Sequence, residues 1–327
     1  MSIKTYTQAT WEAMKEEMLR DPTVYAMAED IIGNGGAMGH YTGLGEAIGD
    51  QSRVIDAPIS ETVIVASAVG AALAGMRPVI DLRFSNCLPV CMDEIVNQAA
   101  KSRYMFGGQG KVSMVLRCPD GIMKMQAAHH TDSNEAWFAH VPGLQVVIPS
   151  SPAEGKGLLK SAIRNNNPVM FLEHKLLFSV QGEVPDEEYT IPIGKARIAK
   201  EGTDATVVVY GIMVSRALEA AEQLAAEGIN VEIIDLRSVT PWDKETVLAS
   251  VKKTGHAVVA HEAVRKCGFG AEISATIAEE AFDDLKAPVV RLGAPFVPIP
   301  MAGELEDMCR IVAKDIVAGV KKALKRG

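Results

Sequence analysis

One pattern constrains this chain more than any other. Short, continuously apolar runs rich in β-branched residues alternate with stretches of helical spacing along almost its whole length. A strand that is apolar at every position is buried on both faces. A chain that sets a helix between such strands builds a parallel sheet with helices packed over it. In the first half, strands are expected at residues 53–56, 78–82, 112–116, 144–148 and 168–172, and helices at 60–76, 92–104, 133–140 and 152–165. The polar stretch 181–204, with QGEVPDEEYT and KEGTD at its ends, reads as an interdomain connection. Beyond it, strands at 206–210, 231–236, 257–261 and 289–292 alternate with helices at 214–227, 244–253, 270–282 and 304–325. The chain therefore reads as α/β with two domains, 1–190 and 191–327, each long enough to hold a core of its own.

Charge and cysteine usage narrow the function. Lys and Arg total 33 against 41 Asp and Glu, a net charge of −8, which argues against a phosphate-neutralising surface and so against nucleic-acid binding. The longest apolar stretch, 62–76, is 15 residues rich in Ala and Gly, too short to span a bilayer, and is expected as a helix buried in a large core. The opening MSIKTYTQATWEAMKEEMLRD has the mixed charge of an amphipathic helix, not the pattern of a signal peptide. Cys87, Cys91, Cys118, Cys267 and Cys309 have neither disulfide-framework nor zinc spacing, which predicts free thiols and a cytoplasmic setting.

Open parallel sheets take their ligands beyond the carboxyl ends of the strands. At one such end, DAPISE leads into the Ala-rich helix, with Ser60 at the N-cap position and Glu61 in the first turn. The helix dipole favours an acid there whatever its role. The apolar run behind it predicts a buried Glu61, whose raised pKa would make it a proton donor or a strong hydrogen-bond partner. A second end is DGIMKMQAAHHTDSNEAWFAH, which holds three of the seven histidines. His129 and His130 lack the spacing of a helical metal pair. Acid–base work by one of them and a polar loop capped by Thr131 or Ser133 both fit. IGNGG and CGFG are glycine turns without the context of a phosphate or dinucleotide loop, and there is no G-x-S-x-G elbow. Residues alone lead to an α/β enzyme, or a subunit of one, with a buried glutamate and a histidine loop.

Five stretches together resemble one family: DAPISE, AVGAALAGMRPVI, MDEIVNQAAKSRYMFGGQ, NEAWFAHVPGLQVVIPSSPAEGKGLLKSAIRNNNPVMFLEHK and GEVPDEEYTIPIGKARIAKEGTDATVVVYG. From Ile3 to Glu306 the chain is similar to the β subunits of thiamine-diphosphate-dependent dehydrogenases of the pyruvate, branched-chain and acetoin types. The resemblance implies a pyrimidine-binding thiamine-diphosphate fold domain followed by a transketolase C-terminal-like domain, both with mainly parallel sheets. It implies an α2β2 heterotetramer in which the α subunit holds Mg²⁺ and the diphosphate, and this chain has no Gly-Asp-Gly. A lipoyl acyltransferase and a small ketone or 2-oxo acid are the further partners it implies.

Carried over by the same resemblance, Glu61 pairs with the aminopyrimidine nitrogen and His130 handles the intermediate or the incoming lipoyl group. Glu29 falls at an acid that helps connect two cofactors, while Ile59, Phe84 and Cys87 line the cofactor. The carbonyls of Ala162, Asn165 and Asn167 match a potassium site of some relatives. The chain also departs from the family. Cys87 replaces an aromatic residue, with Phe84 nearby to substitute, GIMKMQAAH replaces a Gly-rich stretch, and His-Ser-Gln-Ser becomes His130-Thr131-Asp132-Ser133. These changes leave open an acetoin-like α-hydroxyketone or a 2-oxo acid as substrate. A split transketolase-like carboligase and a catalytically inert partner subunit remain as alternatives.

Overall fold

The computed structural model describes residues 1–325, and they fall into two units. Unit 1 comprises Met1–Asp120 and Trp137–Ile193; unit 2 takes Gly121–Ala136 and the chain from Gly194 onward. The histidine segment thus belongs structurally to the second unit, although the first unit flanks it in sequence.

In unit 1 the strands are β1 (Ser2–Thr5), β2 (Val24–Glu29), β3 (Val54–Ala57), β4 (Arg77–Asp81), β5 (Val115–Asp120), β6 (Gln145–Val147), β7 (Val169–His174) and β8 (Gln181–Val184). Six of them run parallel in the order β6-β7-β5-β4-β2-β3, and β1 pairs antiparallel with β8. Every residue of β2, β5 and β7 is buried, as expected of central parallel strands. The helices are α1 (Tyr6–Arg20), α2 (Leu44–Ile48), α3 (Glu61–Leu73), α4 (Ala100–Met105), α5 (Glu135–Ala139), which crosses into unit 1, and α6 (Pro152–Arg164). A capping box starts α1: the Thr5 hydroxyl accepts from the Gln8 amide at 3.1 Å, and the Gln8 side chain accepts from the Thr5 amide at 2.8 Å. Ser151 caps α6, with Pro152 at its first position. These two helices cover one face of the sheet with Met14, Met18, Leu158 and Leu159 over Val79, Val115 and Phe171.

Unit 2 contains β9 (Arg197–Lys200), β10 (Ala205–Val209), β11 (Val231–Asp235), β12 (Ser238–Thr240), β13 (Ala257–Val264) and β14 (Val290–Ala294). Its sheet runs β14-β13-β10-β11-β9, parallel except for β9. The helices are α7 (Met213–Ala225), α8 (Lys244–Thr254), α9 (Gly270–Glu280), α10 (Gly303–Asp307) and α11 (Ala313–Ala323). On one face α7 and α11 bury Ala217, Leu224, Ile316 and Val320 against Val207, Ile233 and Val258.

Several sequence expectations need correction. Strand β2 carries a weak strand signal because only Val24 and Tyr25 favour strands and Ala, Met and Glu follow them, yet it pairs with both β3 and β4. The polar connection 181–204 contains β8 and β9; each pairs on one side, so it is half in water and can be polar. The first residues of the expected N-terminal helix form β1. The helix expected at 92–104 is present but not uniform: a π segment (Glu94–Ala99) runs into α4, and a 3₁₀ turn (Ser85–Cys91) precedes it. The terminal helix breaks into α10 and α11. Most consequential is α3, expected inside a core, which leaves Val63, Ala66, Ser67, Gly70 and Leu73 exposed along one stripe.

Candidate functional site

Strand β3 ends at Ala57, and the short turn after it delivers Glu61 to the head of α3. Ser60 occupies the N-cap position, but its hydroxyl makes no cap bond. Glu61 is half-buried, not enclosed, because the helix behind it is open along that stripe. The Cys87 thiol donates to the Glu61 carboxylate; burial and then that carboxylate push the thiol up to about 11, so it stays protonated as a donor. Glu29, at the carboxyl end of β2, is buried, and its carboxyl is raised first by burial and then by the charge of Glu61. Ile59, two residues before Glu61, is 80% exposed, and Val90, whose carbonyl accepts from the Thr62 hydroxyl at 3.2 Å, is 64% exposed. Phe84 lies in the same turn, with the buried Lys175 ammonium 5.6 Å from its ring centre. The structure therefore brings Glu29, Glu61 and Cys87 together and sets Ile59 and Phe84 on the adjoining turns. Arg83, next to Phe84, is bound to Asp30 at 2.8 Å.

A flat, nitrogen-bearing ring suits these residues: a carboxylate to meet a ring nitrogen, a thiol to hold that carboxylate and an acid behind it. That is the chemistry of an aminopyrimidine, and the donor set fits the pyrimidine half of thiamine diphosphate.

His129 and His130 are both exposed on the 121–136 segment of unit 2. The segment closes on itself through the Gly121 amide, which donates to Asp132 O at 3.1 Å, and through the Thr131 hydroxyl, which donates to Ala127 O. Further along, buried Glu135 accepts from the Tyr210 hydroxyl at 2.7 Å. His130 and Glu61 fall in different units.

At the end of α6 the three asparagines are already engaged. Ala162 O accepts the Asn165 amide at 3.1 Å, and Asn165 O accepts Arg77 Nη1 at 2.8 Å, which also reaches Ile163 O at 2.9 Å. The Asn167 side chain accepts from Arg103 at 2.6 Å. A cation near these carbonyls would meet the negative end of the helix dipole, which Arg77 already answers in part.

Two features escaped the sequence reading. Arg117, fully buried in β5, makes paired bonds of 2.8 and 2.7 Å to Glu173 of β7, which also accepts from Tyr6 at 2.9 Å. Buried His40 meets Asp81 at 2.7 Å, and burial pushes the Asp81 carboxyl up to about 7. The signal was present as charged residues inside apolar strands, in VLRCPD and VMFLEH. The CGFG turn turns out to be packing: a Cβ on Gly268 or Gly270 would come within 2.5 or 2.6 Å of the His261 ring.

The chain matches two known families in turn. Residues 3–180 match the family described as transketolase, pyrimidine binding domain, and residues 194–316 that described as transketolase, C-terminal domain. The acetoin:2,6-dichlorophenolindophenol oxidoreductase subunit beta of Cupriavidus necator is 45% identical over 324 residues, 97% of this chain and 96% of that protein. The pyruvate dehydrogenase E1 component subunit beta of Rhizobium meliloti is 42% identical, over 98% of this chain and 70% of that protein. For the 2-oxoisovalerate dehydrogenase subunit beta of Bacillus subtilis the figures are 39%, 98% and 99%. Among solved structures, a split gene transketolase, described as an inactive beta4 tetramer, matches with a TM-score of 0.81 at 25% identity over 98% of each chain.

Proposed function

The chain belongs to the transketolase-type family of thiamine-dependent enzymes, among the β subunits of 2-oxo acid and acetoin dehydrogenases, and on that premise we propose how it works. With an α subunit, in an α2β2 heterotetramer, it cleaves an acetoin-like α-hydroxyketone or decarboxylates a 2-oxo acid. The acyl group passes to lipoamide on an acyltransferase. The observation that carries this reading is the half-buried Glu61 carboxylate at the head of α3, held by the Cys87 thiol and backed by Glu29.

Thiamine diphosphate, when bound, supplies a nucleophilic carbon that adds to a carbonyl and stores the electron pair of the bond that breaks. Glu61 holds a proton against the aminopyrimidine nitrogen, with Cys87 fixing which way the carboxylate faces. Ile59 and Phe84, on the adjoining turns, would line the ring when it is bound, and excluding water there would strengthen that hydrogen bond. Glu29, its carboxyl raised by burial and then by the charge of Glu61, stands as the acid behind it. The diphosphate and Mg²⁺ fall to the α subunit, since this chain has no Gly-Asp-Gly. His130 acts on the substrate or the acyl group as an acid–base. Should potassium bind as a secondary cation, the carbonyls of Ala162, Asn165 and Asn167 would hold it. Five free thiols support a cytoplasmic location.

The test pairs this chain with its α subunit and follows reduction of 2,6-dichlorophenolindophenol with acetoin, pyruvate and branched 2-oxo acids, with and without thiamine diphosphate. Cofactor-dependent reduction with one of these supports the reading. Absence of reduction with all of them, together with ligation of a ketone fragment to an aldehyde, would establish the second reading, a split transketolase, which the fold likeness at TM-score 0.81 favours.

A further inference from the structure

The loop that presents His130 is held in unit 2 by two anchors of the same design. At the first, the Ile122 amide donates to Glu262 Oε1 at 2.7 Å, while Arg216 Nη1 donates to Glu262 Oε2 at 2.6 Å. Arg216 is itself tied to Ile311 O at 2.8 Å. At the second, the Met125 amide donates to Glu306 Oε2 at 2.8 Å, while Arg310 pairs with Glu306 Oε1. Glu262 and Glu306 are only 6% and 2% exposed. A carboxylate buried without a partner would be costly. Here each carboxylate has one oxygen on an arginine and the other on a loop amide, so the bond to the loop is charge-assisted and strong.

Residues 121–134 contain no helix or strand, and Met125 and Ala127 hold left-handed backbone angles, φ 51° and 57°. Non-glycine residues adopt that conformation only when their surroundings impose it. The second anchor pins Met125 itself, and Ile122 packs with Ile299 and Cys309 beside the first. Downstream, Ala127 O receives the Thr131 hydroxyl and the His130 amide, so the chain from anchor to histidine is bonded stepwise. Helix α10 is only five residues long and exposes Leu305, with Met308 exposed just after it, so it adds little core of its own. Its buried carboxylate points into the loop.

We propose that Glu262 and Glu306 are positioning residues for His130: two arginine–carboxylate–amide clamps that set where the loop presents its imidazole. The proposal rests on the reading of His130 given above. A displacement of about 1 Å at a reacting group costs up to ~10²-fold in rate, so loss of a clamp should appear in kcat, not in cofactor binding.

The experiment uses the assembled enzyme with its α subunit and compares Glu306→Ala, Glu306→Gln, His130→Ala and the double variant Glu306→Ala/His130→Ala. Glu306→Ala should raise amide hydrogen exchange within 121–134, leave thiamine diphosphate affinity unchanged and lower kcat by about ten- to a hundredfold. Glu306→Gln, which still accepts the Met125 amide, should recover much of that loss; it also serves as the test variant should the alanine form not assemble. Because the clamp acts through the histidine, Glu306→Ala should cost no further kcat in the His130→Ala background. Unchanged loop exchange in both Glu306 variants, or a full additional kcat loss in the double variant, overturns the proposal. A silent His130→Ala variant instead overturns the reading of His130, and the exchange data separate that failure from failure of the clamps.

Discussion

Two thirteen-residue helices, α3 in unit 1 and α7 in unit 2, turn opposite kinds of surface outward. Helix α7 buries Val214, Ala217, Ala220, Ala221 and Leu224 and exposes Ser215, Glu219, Glu222 and Gln223, the sorting expected of a helix between core and water. Helix α3 buries Ile64, Val65, Ala68, Val69 and Ala72, yet its outward stripe is Val63, Ala66, Ser67, Gly70 and Leu73. Water does not select such a stripe. Small and apolar residues in a row allow another protein surface to approach closely. Glu61 heads this same helix, so the candidate cofactor carboxylate and the surface suited to a partner share one element. That is what an active site needing a second subunit would require.

The comparison is tested hardest at Glu61. Glu61→Gln is nearly isosteric and should leave assembly intact while lowering activity by about 10³-fold, within the range for a lost acid–base group. Hydrogen–deuterium exchange at the reactive carbon of the bound thiamine, wild type against variant, reads this directly; equal rates would reduce Glu61 to an ordinary first-turn acid. Next in size, His130→Ala should lower kcat about a hundredfold with cofactor affinity unchanged, and His129→Ala should have little effect. The reverse pattern in steady-state kinetics would move the assignment by one residue.

A paired substitution bears on the helices themselves. Ala66→Glu on α3 would bury an unpaired charge against the partner and weaken assembly by about a hundredfold or more. Leu218→Glu on α7, whose side chain is already 36% exposed, should change neither assembly nor stability by more than ~0.5 kcal/mol. Light scattering of each variant mixed with the α subunit distinguishes them, and equal behaviour would mean that the α3 stripe faces solvent.

Smaller effects come from the buried polar groups. Asp81 has its pKa raised to about 7 by burial, against roughly 3.9 in an unfolded chain. The folded state therefore holds the proton more tightly, and the stability this contributes is complete below pH ~4 and is lost as pH rises to about 7. Asp81→Asn should flatten that dependence by on the order of 1–3 kcal/mol, read by urea unfolding at pH 5 and 7.5. Smallest of all, replacing sodium by potassium at constant ionic strength should raise the Tm by about a degree or two, because Arg77 already answers part of the carbonyl charge at Asn165. A Tm indifferent to the cation would remove the potassium site.

Some of this was readable from residues because it is local. Alternating apolar runs dictate a two-sided parallel sheet, and DAPISE places a carboxylate in a first turn whatever surrounds it. The resemblance carried family membership, since long specific stretches survive where single motifs do not. What escaped depends on which segments meet in space. Strand β2 is recognisable only through its neighbours β3 and β4, because after Val24 and Tyr25 its side chains have no strand preference. The exposure of α3 could not be seen either: an apolar helix is written the same way whether a core or another subunit covers it. And Glu262 and Glu306 lie 140 and 181 residues from the amides they hold, so tertiary folding alone decided that the histidine loop belongs to the second unit.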